Sequence, residues 1–175
     1  SYGYLAGDFV RDKDAVMSCM LIAEATAWAA EQGKSIFDVL ADIYIKYGFY
    51  KEKLVNLVRK GKTGAEEIQL MMDGYRKKPP LEINGSAIIK IKDYQLQKEI
   101  NLITGSKESI RLPKSNVLQF ITTDGTIVSV RPSGTEPKIK FYIGTKTELK
   151  KAADYKKVET ELDEKLNAIC KDLGI

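Results

Sequence analysis

The residues best suited to chemistry in this 175-residue sequence form one short run, Arg131-Pro132-Ser133-Gly134-Thr135-Glu136-Pro137, with Lys140 just beyond it. The run is too long for a tight hairpin turn, and a proline near each end stiffens it. A left-handed Gly134 would let the N–H groups of Ser133, Gly134 and Thr135 converge on one point, forming a nest that binds anions. The hydroxyls of Ser133 and Thr135 add donors, and Arg131 offers a planar fork that grips phosphate through two hydrogen bonds. Lys140, on the outgoing strand, adds a second cation. The plainer alternative is a stiff surface connection with a stray arginine, since the same residue types make ordinary turns.

A second cluster, Asp8, Arg11, Asp12, Lys13 and Asp14, reads two ways. It is a charged helix N-terminus, with acids favoured by the helix dipole and the cations paired to them. It is also a lysine among carboxylates, able to bond sugar hydroxyls or exchange a proton. The sequence contains no histidine, which excludes a Ser-His-Asp triad, a histidine-bound zinc and an imidazole base within these residues. Its two cysteines, Cys19 and Cys170, are too few and too far apart for a metal knuckle or a disulfide framework. Gly61-Lys62-Thr63 matches the end of the phosphate-loop pattern G-x-x-x-x-G-K-[ST], but Asn56 stands where its first glycine belongs, so a turn is the better reading.

These residues need elements to hold them. Asp12 or Asp14 caps a helix running to about Gln32, with Val16, Cys19, Met20, Ala23, Ala27 and Ala30 at three- and four-residue steps. After Gly33, Ser35 to Asp38 has the form of a capping box for a second helix, which Gly48 closes and whose buried face is Ile36, Val39, Leu40, Ile43 and Tyr47. Two helices have little to bury against, so this part is expected to pack on a sheet lying outside the sequence. Lys51 to Arg59 reads as a strand, Thr63 to Arg76 as a helix, and Ala87 to Lys92 and Ile100 to Ile103 as strands. Val117 to Ile121, Ile127 to Arg131 and Lys138 to Gly144 form an antiparallel meander with Asp124-Gly125 as a hairpin turn. A helix from Glu148 to Leu173 carries the stripe Val158, Leu162, Leu166, Ile169 and Leu173. The fold class is α+β: a mostly antiparallel four- or five-stranded sheet with two helices on one face, preceded by a helical remainder of an α/β domain.

The run from Arg131 to Lys140 resembles the phosphate-binding signature in the C-terminal domain of the α-D-phosphohexomutases, the phosphoglucomutase/phosphomannomutase family. Ser1-Tyr2-Gly3-Tyr4-Leu5 is similar to the residues just after the two glutamates of that family's sugar-binding loop, and Val10 to Asp14 to the segment beyond them. The resemblance implies that residues 1–48 end the sugar-binding third of four domains and that residues 49–175 are the TATA-box-binding-protein-like C-terminal domain. It implies a phosphoryl shift between C1 and C6 of a hexose phosphate, through a phosphoserine and a hexose 1,6-bisphosphate, with Mg²⁺ in the intact enzyme. Arg131, Ser133, Gly134, Thr135 and Lys140 would hold the non-reacting phosphate. Lys140 stands where many relatives have arginine, which keeps the charge but loses the bidentate geometry. Ser1 would touch ring hydroxyls, and Lys13 would serve as a substrate contact or proton-transfer residue. The phosphoserine and metal loops belong to the first two domains, so the chain is expected to be inactive without those domains of the same protein.

Glucose against mannose preference depends on sugar-loop residues mostly absent here, and phosphopentomutase and phosphoglucosamine mutase are alternatives within the resemblance. A nucleic-acid-binding sheet domain is a reading of another class, resting on a net charge of +4. It lacks an aromatic pattern on the strands. A third reading, a non-catalytic interaction module, rests on the charged C-terminal helix alone. The most apolar stretch, Ala15 to Ala30, holds Glu24 and is too short to span a bilayer, so no membrane partner is expected and cytoplasm is the expected location.

Overall fold

The computed structural model describes residues 4–59 and 61–175. The chain divides into two compact units: one runs up to Gly48 and includes Glu148–Tyr155, and the other comprises Phe49–Thr147 and Lys156–Ile175.

The first unit is built on helices α1 (Ala15–Glu31) and α2 (Ile36–Tyr47). Of the two aspartates that could begin α1, Asp14 is the cap, its carboxylate accepting from Met17 N at 2.9 Å. The capping box at Ser35 and Asp38 is complete, with each side chain bonded to the other residue's backbone N–H. The apolar faces are mostly unburied. Val16 and Met20 of α1 and Ile43 and Tyr47 of α2 lie exposed, whereas Ala29 and Ala41 are buried. A helix as apolar as α1, with so little covered, has not met its packing partner among the described residues.

The second unit has strands β1 (Phe49–Val58), β2 (Glu82–Ile83), β3 (Ser86–Asp93), β4 (Lys98–Asn101), β5 (Lys107–Ser109), β6 (Leu118–Thr122), β7 (Ile127–Pro132) and β8 (Lys138–Thr147). Among the described residues these form one antiparallel sheet ordered β1-β8-β7-β6-β3-β4-β5, with β2 paired to β3. Five of the expected strands are β1, β3, β6, β7 and β8, and the one expected at Ile100 to Ile103 overlaps β4. β2 and β5 are not among the expected strands, so among the described residues the sheet has eight strands and not four or five. The strand expected at Ile100 to Ile103 ends early because Asn101 Oδ1 accepts from the N–H groups of Ile103 and Thr104 at 2.9 and 3.1 Å, turning the chain. β5 escapes a periodicity reading because all three of its residues are exposed.

Helices α3 (Gly61–Lys77) and α4 (Tyr155–Asp172) cover one face of this sheet. Alternation along the strands sends Leu118, Phe120, Val128, Val130, Ile139, Phe141 and Ile143 to that face, where they meet Ile68 and Met72 of α3 and Leu166, Ile169 and Cys170 of α4. Burying each large side chain stabilises the unit by roughly 1.5–3 kcal/mol, which fixes the register. α3 starts two residues before Thr63, so that residue lies in the first turn and is not the cap. α4 starts seven residues later than Glu148: Lys151 is extended, and a short 3-10 turn at Ala152–Asp154 precedes the helix. The lead-in, with its buried Leu149, groups with the first unit and not with the helix that follows it, which helical periodicity could not reveal.

Candidate anion-binding site

Strands β7 and β8 place the loop found in the sequence. Val128 and Val130 face the core, so Ser129 and Arg131 face the open side; by the same alternation Lys140 and Tyr142 face it from β8. The register sets Arg131 directly opposite Lys140 and Ser129 directly opposite Tyr142. Like charges in directly opposed positions are destabilising in a sheet. Neither cation forms an ion pair with any described residue. The Glu136 carboxylate, in the lining of the adjoining cavity, is engaged by Lys138, and that hydrogen bond holds the Glu136 carboxyl below the usual carboxylate range. Two cations therefore face each other, and the Glu136 carboxylate, which lines the same cavity and feels the Lys140 charge, is hydrogen-bonded to Lys138.

The loop and these strands enclose a cavity of about 250 Å³, lined by Arg131, Ser133, Gly134, Thr135, Lys140 and Tyr142 among others. The N–H groups of Gly134 and Thr135 and the hydroxyls of Ser133 and Thr135 have no protein partner among the described residues. One expectation from the sequence is corrected. Gly134 does not take a left-handed conformation, and Ser133 N–H donates to Lys138 O at 2.8 Å, so the three-amide nest is not formed. The strand ladder claims that amide first, because each rung satisfies a backbone group that would otherwise lose its partner. What remains is an open cup of two amides, two hydroxyls, a guanidinium and an ammonium, with the Glu136–Lys138 pair also in its lining, a set whose surplus of donors suits a multiply charged oxyanion.

The other expected site residues lie in the first unit or outside the described residues. Lys13 Nζ donates to the neighbouring Asp12 carboxylate at 2.9 Å, both side chains being solvent-accessible. That hydrogen bond lowers the Asp12 pKa. Asp14 is occupied as the helix cap, so among the described residues Asp12 is the one carboxylate paired with the lysine. Ser1 lies outside the described residues. Tyr142 lines the cavity although no motif marks it; its position two residues after Lys140 on a strand is the one signal the sequence offers.

A sheet domain carrying a donor-rich, cation-flanked loop between two neighbouring strands is thus the class that fold and site define. Comparison with known proteins narrows it. The family model described as phosphoglucomutase/phosphomannomutase, C-terminal domain, matches residues 55–162. Phosphoglucomutase from Staphylococcus haemolyticus (strain JCSC1435) is 40% identical over 143 residues, covering 82% of this chain and 26% of that protein. Phosphoglucomutase from Staphylococcus saprophyticus is 35% identical over 148 residues, covering 85% of this chain and 27% of that protein. Among solved structures, the exocytosis-sensitive phosphoprotein pp63/parafusin from Paramecium, a phosphoglucomutase in its open form, aligns over 93% of this chain and 29% of its own, with a TM-score of 0.49 and 12% identity. The chain belongs to the phosphoglucomutase/phosphomannomutase family, and it spans about a quarter of the length of the relatives it matches.

Proposed function

We propose that this chain holds the non-reacting phosphate of a hexose phosphate while a phosphoryl group moves between C1 and C6. The observation that carries this reading is the Arg131–Lys140 pair, two facing cations neither of which forms an ion pair with a described residue, the cavity's own carboxylate, Glu136, being bonded to Lys138. Arg131 grips the phosphate through its planar fork, and Lys140 adds charge without bidentate geometry. The hydroxyls of Ser133 and Thr135 and the amides of Gly134 and Thr135 complete the shell. Binding energy taken from this remote group orients the reacting end of the sugar, and accurate placement contributes to the rate.

In this reading the residues up to Gly48 are the end of a sugar-binding domain, and the chain from Phe49 is the phosphate-binding domain. Lys13 contacts the substrate through its ammonium, which Asp12 keeps oriented. The phosphoserine that exchanges phosphoryl groups through a bisphosphate lies in the rest of the protein, so these residues bind substrate but do not turn it over. The family resemblance implies Mg²⁺, whose role is to neutralise charge on the transferring phosphoryl group. Among the described residues no group of three or more His, Cys, Asp or Glu side chains is placed to hold a metal ion, so they offer Mg²⁺ no ligand set.

The test is an amide-shift titration with glucose 1-phosphate, inorganic phosphate and a short oligonucleotide. Shifts confined to residues 131–140 with the two phosphate compounds are expected. Arg131→Ala should weaken phosphate-compound binding by roughly 10- to 100-fold, the worth of a charged hydrogen-bonding group. Its thermal midpoint should stay near the parent's, because the side chain is exposed and forms no ion pair with a described residue. Unchanged affinity, or oligonucleotide binding spread across the sheet, removes the proposal.

A further inference from the structure

On the open face of the sheet a second cavity, of about 510 Å³, adjoins the anion cup, and Tyr142 lines both. Its floor is Gly144 of β8 and its walls include Tyr50, Leu54, Ile127, Ser129 and Tyr142. The register explains the hollow. Leu54, Tyr142 and Ser129 form one row across β1, β8 and β7, and the next row is Glu52, Gly144 and Ile127. Gly144 leaves a gap in a surface that is otherwise filled with side chains. Glycine inside a strand weakens it and often marks a place where a ligand comes close. No described side chain partners Tyr142.

We infer that this hollow takes the ring of a phosphate monoester whose phosphate sits between Arg131 and Lys140, the chemistry of a nucleoside 5′-monophosphate. The inference rests on the phosphate reading above and extends the site along the sheet. Lys140, Tyr142 and Gly144 succeed one another on the same face of β8 at about 7 Å per pair of residues. A ring held between Tyr142 and Gly144 is thus roughly 10 Å from the phosphate, a span for an extended molecule and not for a single sugar ring joined to its phosphate. The walls favour a flat, weakly polar ring, which gains from contact with Tyr142, Tyr50, Leu54 and Ile127. A hexose would leave most of its hydroxyls without partners there. The rim supplies two groups suited to ring nitrogens. The Glu52 carboxylate is an acceptor, and Ser129 Oγ, which accepts from Gln119 Nε2 at 2.9 Å, keeps its own proton to donate. Such a ligand competes with the phosphosugar for the same cations.

The experiment is calorimetric titration of the 175-residue chain with adenosine 5′-monophosphate and, separately, inorganic phosphate. The monophosphate should bind at least about tenfold more tightly than phosphate, the worth of one stacked ring. Gly144→Val fills the floor with little strain. Its Cβ would meet nothing nearer than Glu52 Cγ at 3.8 Å, and valine suits a strand. That variant should bring the monophosphate down to the affinity of inorganic phosphate and leave phosphate itself within about twofold. Leu54→Ala, at a position 49% exposed in the wall of the hollow and outside the lining of the anion cup, gives the same readout if the valine variant folds poorly. Equal binding of the two ligands to the parent chain overturns the inference and leaves the phosphate reading standing. So does a monophosphate advantage that both variants retain. Binding of neither ligand overturns both.

Discussion

Asp93 is the residue whose removal should most disturb the second unit without touching the candidate site. Its carboxylate is 11% exposed and accepts from Arg76 Nε at 3.0 Å through one oxygen. The other oxygen accepts from the backbone N–H groups of Gln95 and Leu96 at 2.9 and 3.1 Å. Arg76, itself 14% exposed, also donates from Nη2 to Asn116 Oδ1 at 2.6 Å. One carboxylate therefore joins the last turn of α3, the turn after β3 and the approach to β6. Breaking a buried pair by deleting one partner costs about 3–5 kcal/mol, and the slight solvent access of both groups argues for the lower end. Asp93→Ala should thus lose about 3 kcal/mol, a large part of a domain's usual 5–15 kcal/mol. Asp93→Asn keeps the acceptor for Gln95 and Leu96 and loses only the charge toward Arg76, so about 1.5 kcal/mol is expected. Urea unfolding followed by far-ultraviolet circular dichroism measures both, with an unchanged m value showing that the same surface unfolds. A cost below about 1 kcal/mol for the alanine variant would refute the argument, because no buried charge would then have lost a needed partner. Equal costs for alanine and asparagine would refute the division between charge and turn.

Two further outcomes come from local geometry. A Cβ on Gly64 would clash with Arg59 O and lie 2.7 Å from Arg59 Cβ, whereas one on Gly74 of the same helix meets nothing within 4 Å. Gly64→Ala should therefore destabilise by about 1–3 kcal/mol through overpacking, and Gly74→Ala should stabilise by up to about 1 kcal/mol through helix propensity. Thermal midpoints moving in the same direction would contradict this. Burial alone would raise the Asp124 pKa, but Lys165 Nζ at 2.7 Å, the Thr122 hydroxyl and the Thr126 N–H outweigh it and hold the carboxyl well below its usual range. Because the folded pKa is depressed, this contribution is complete above the unfolded value near 4 and disappears as pH falls through the folded one. Asp124→Asn should cost about 1 kcal/mol at pH 7, modest because the side chain is a third exposed, and less at pH 3, read by urea midpoints; a pH-independent cost would contradict the assignment.

The features legible in the sequence are those set by neighbours along the chain. The Asp14 and Ser35 caps, the Asp124-Gly125 turn and the alternating strands each depend on a few consecutive residues. What stayed hidden depends on distant partners. Asp93 and Arg76 lie 17 residues apart, and nothing in either neighbourhood marks them as a pair. The conformation of Gly134 is settled by whether Ser133 spends its N–H on Lys138, a choice made by the ladder and not by the glycine. The lead-in to α4 has helical composition, yet it is not part of that helix, and with its buried Leu149 it belongs to the first unit.

The anion site lies between these cases, and its legibility has a physical reason. Arg131 and Lys140 could be recognised as cations beside a loop, but their direct opposition comes from register, which pairs Pro132 with Ile139 and Val130 with Phe141. A slip of one residue in β8 would turn Ile139, Phe141 and Ile143 to the open face and push Lys140 into the core. Each of those three side chains is now almost fully buried, so the slip would expose apolar surface worth several kcal/mol and bury an unpaired charge as well. The apolar residues of β7 and β8 therefore enforce the juxtaposition of two like charges that the cations themselves oppose. The same alternation leaves Tyr142 and Gly144 facing outward beyond Lys140, so the pattern that builds the core also lays out the anion cup and the hollow beside it along one strand.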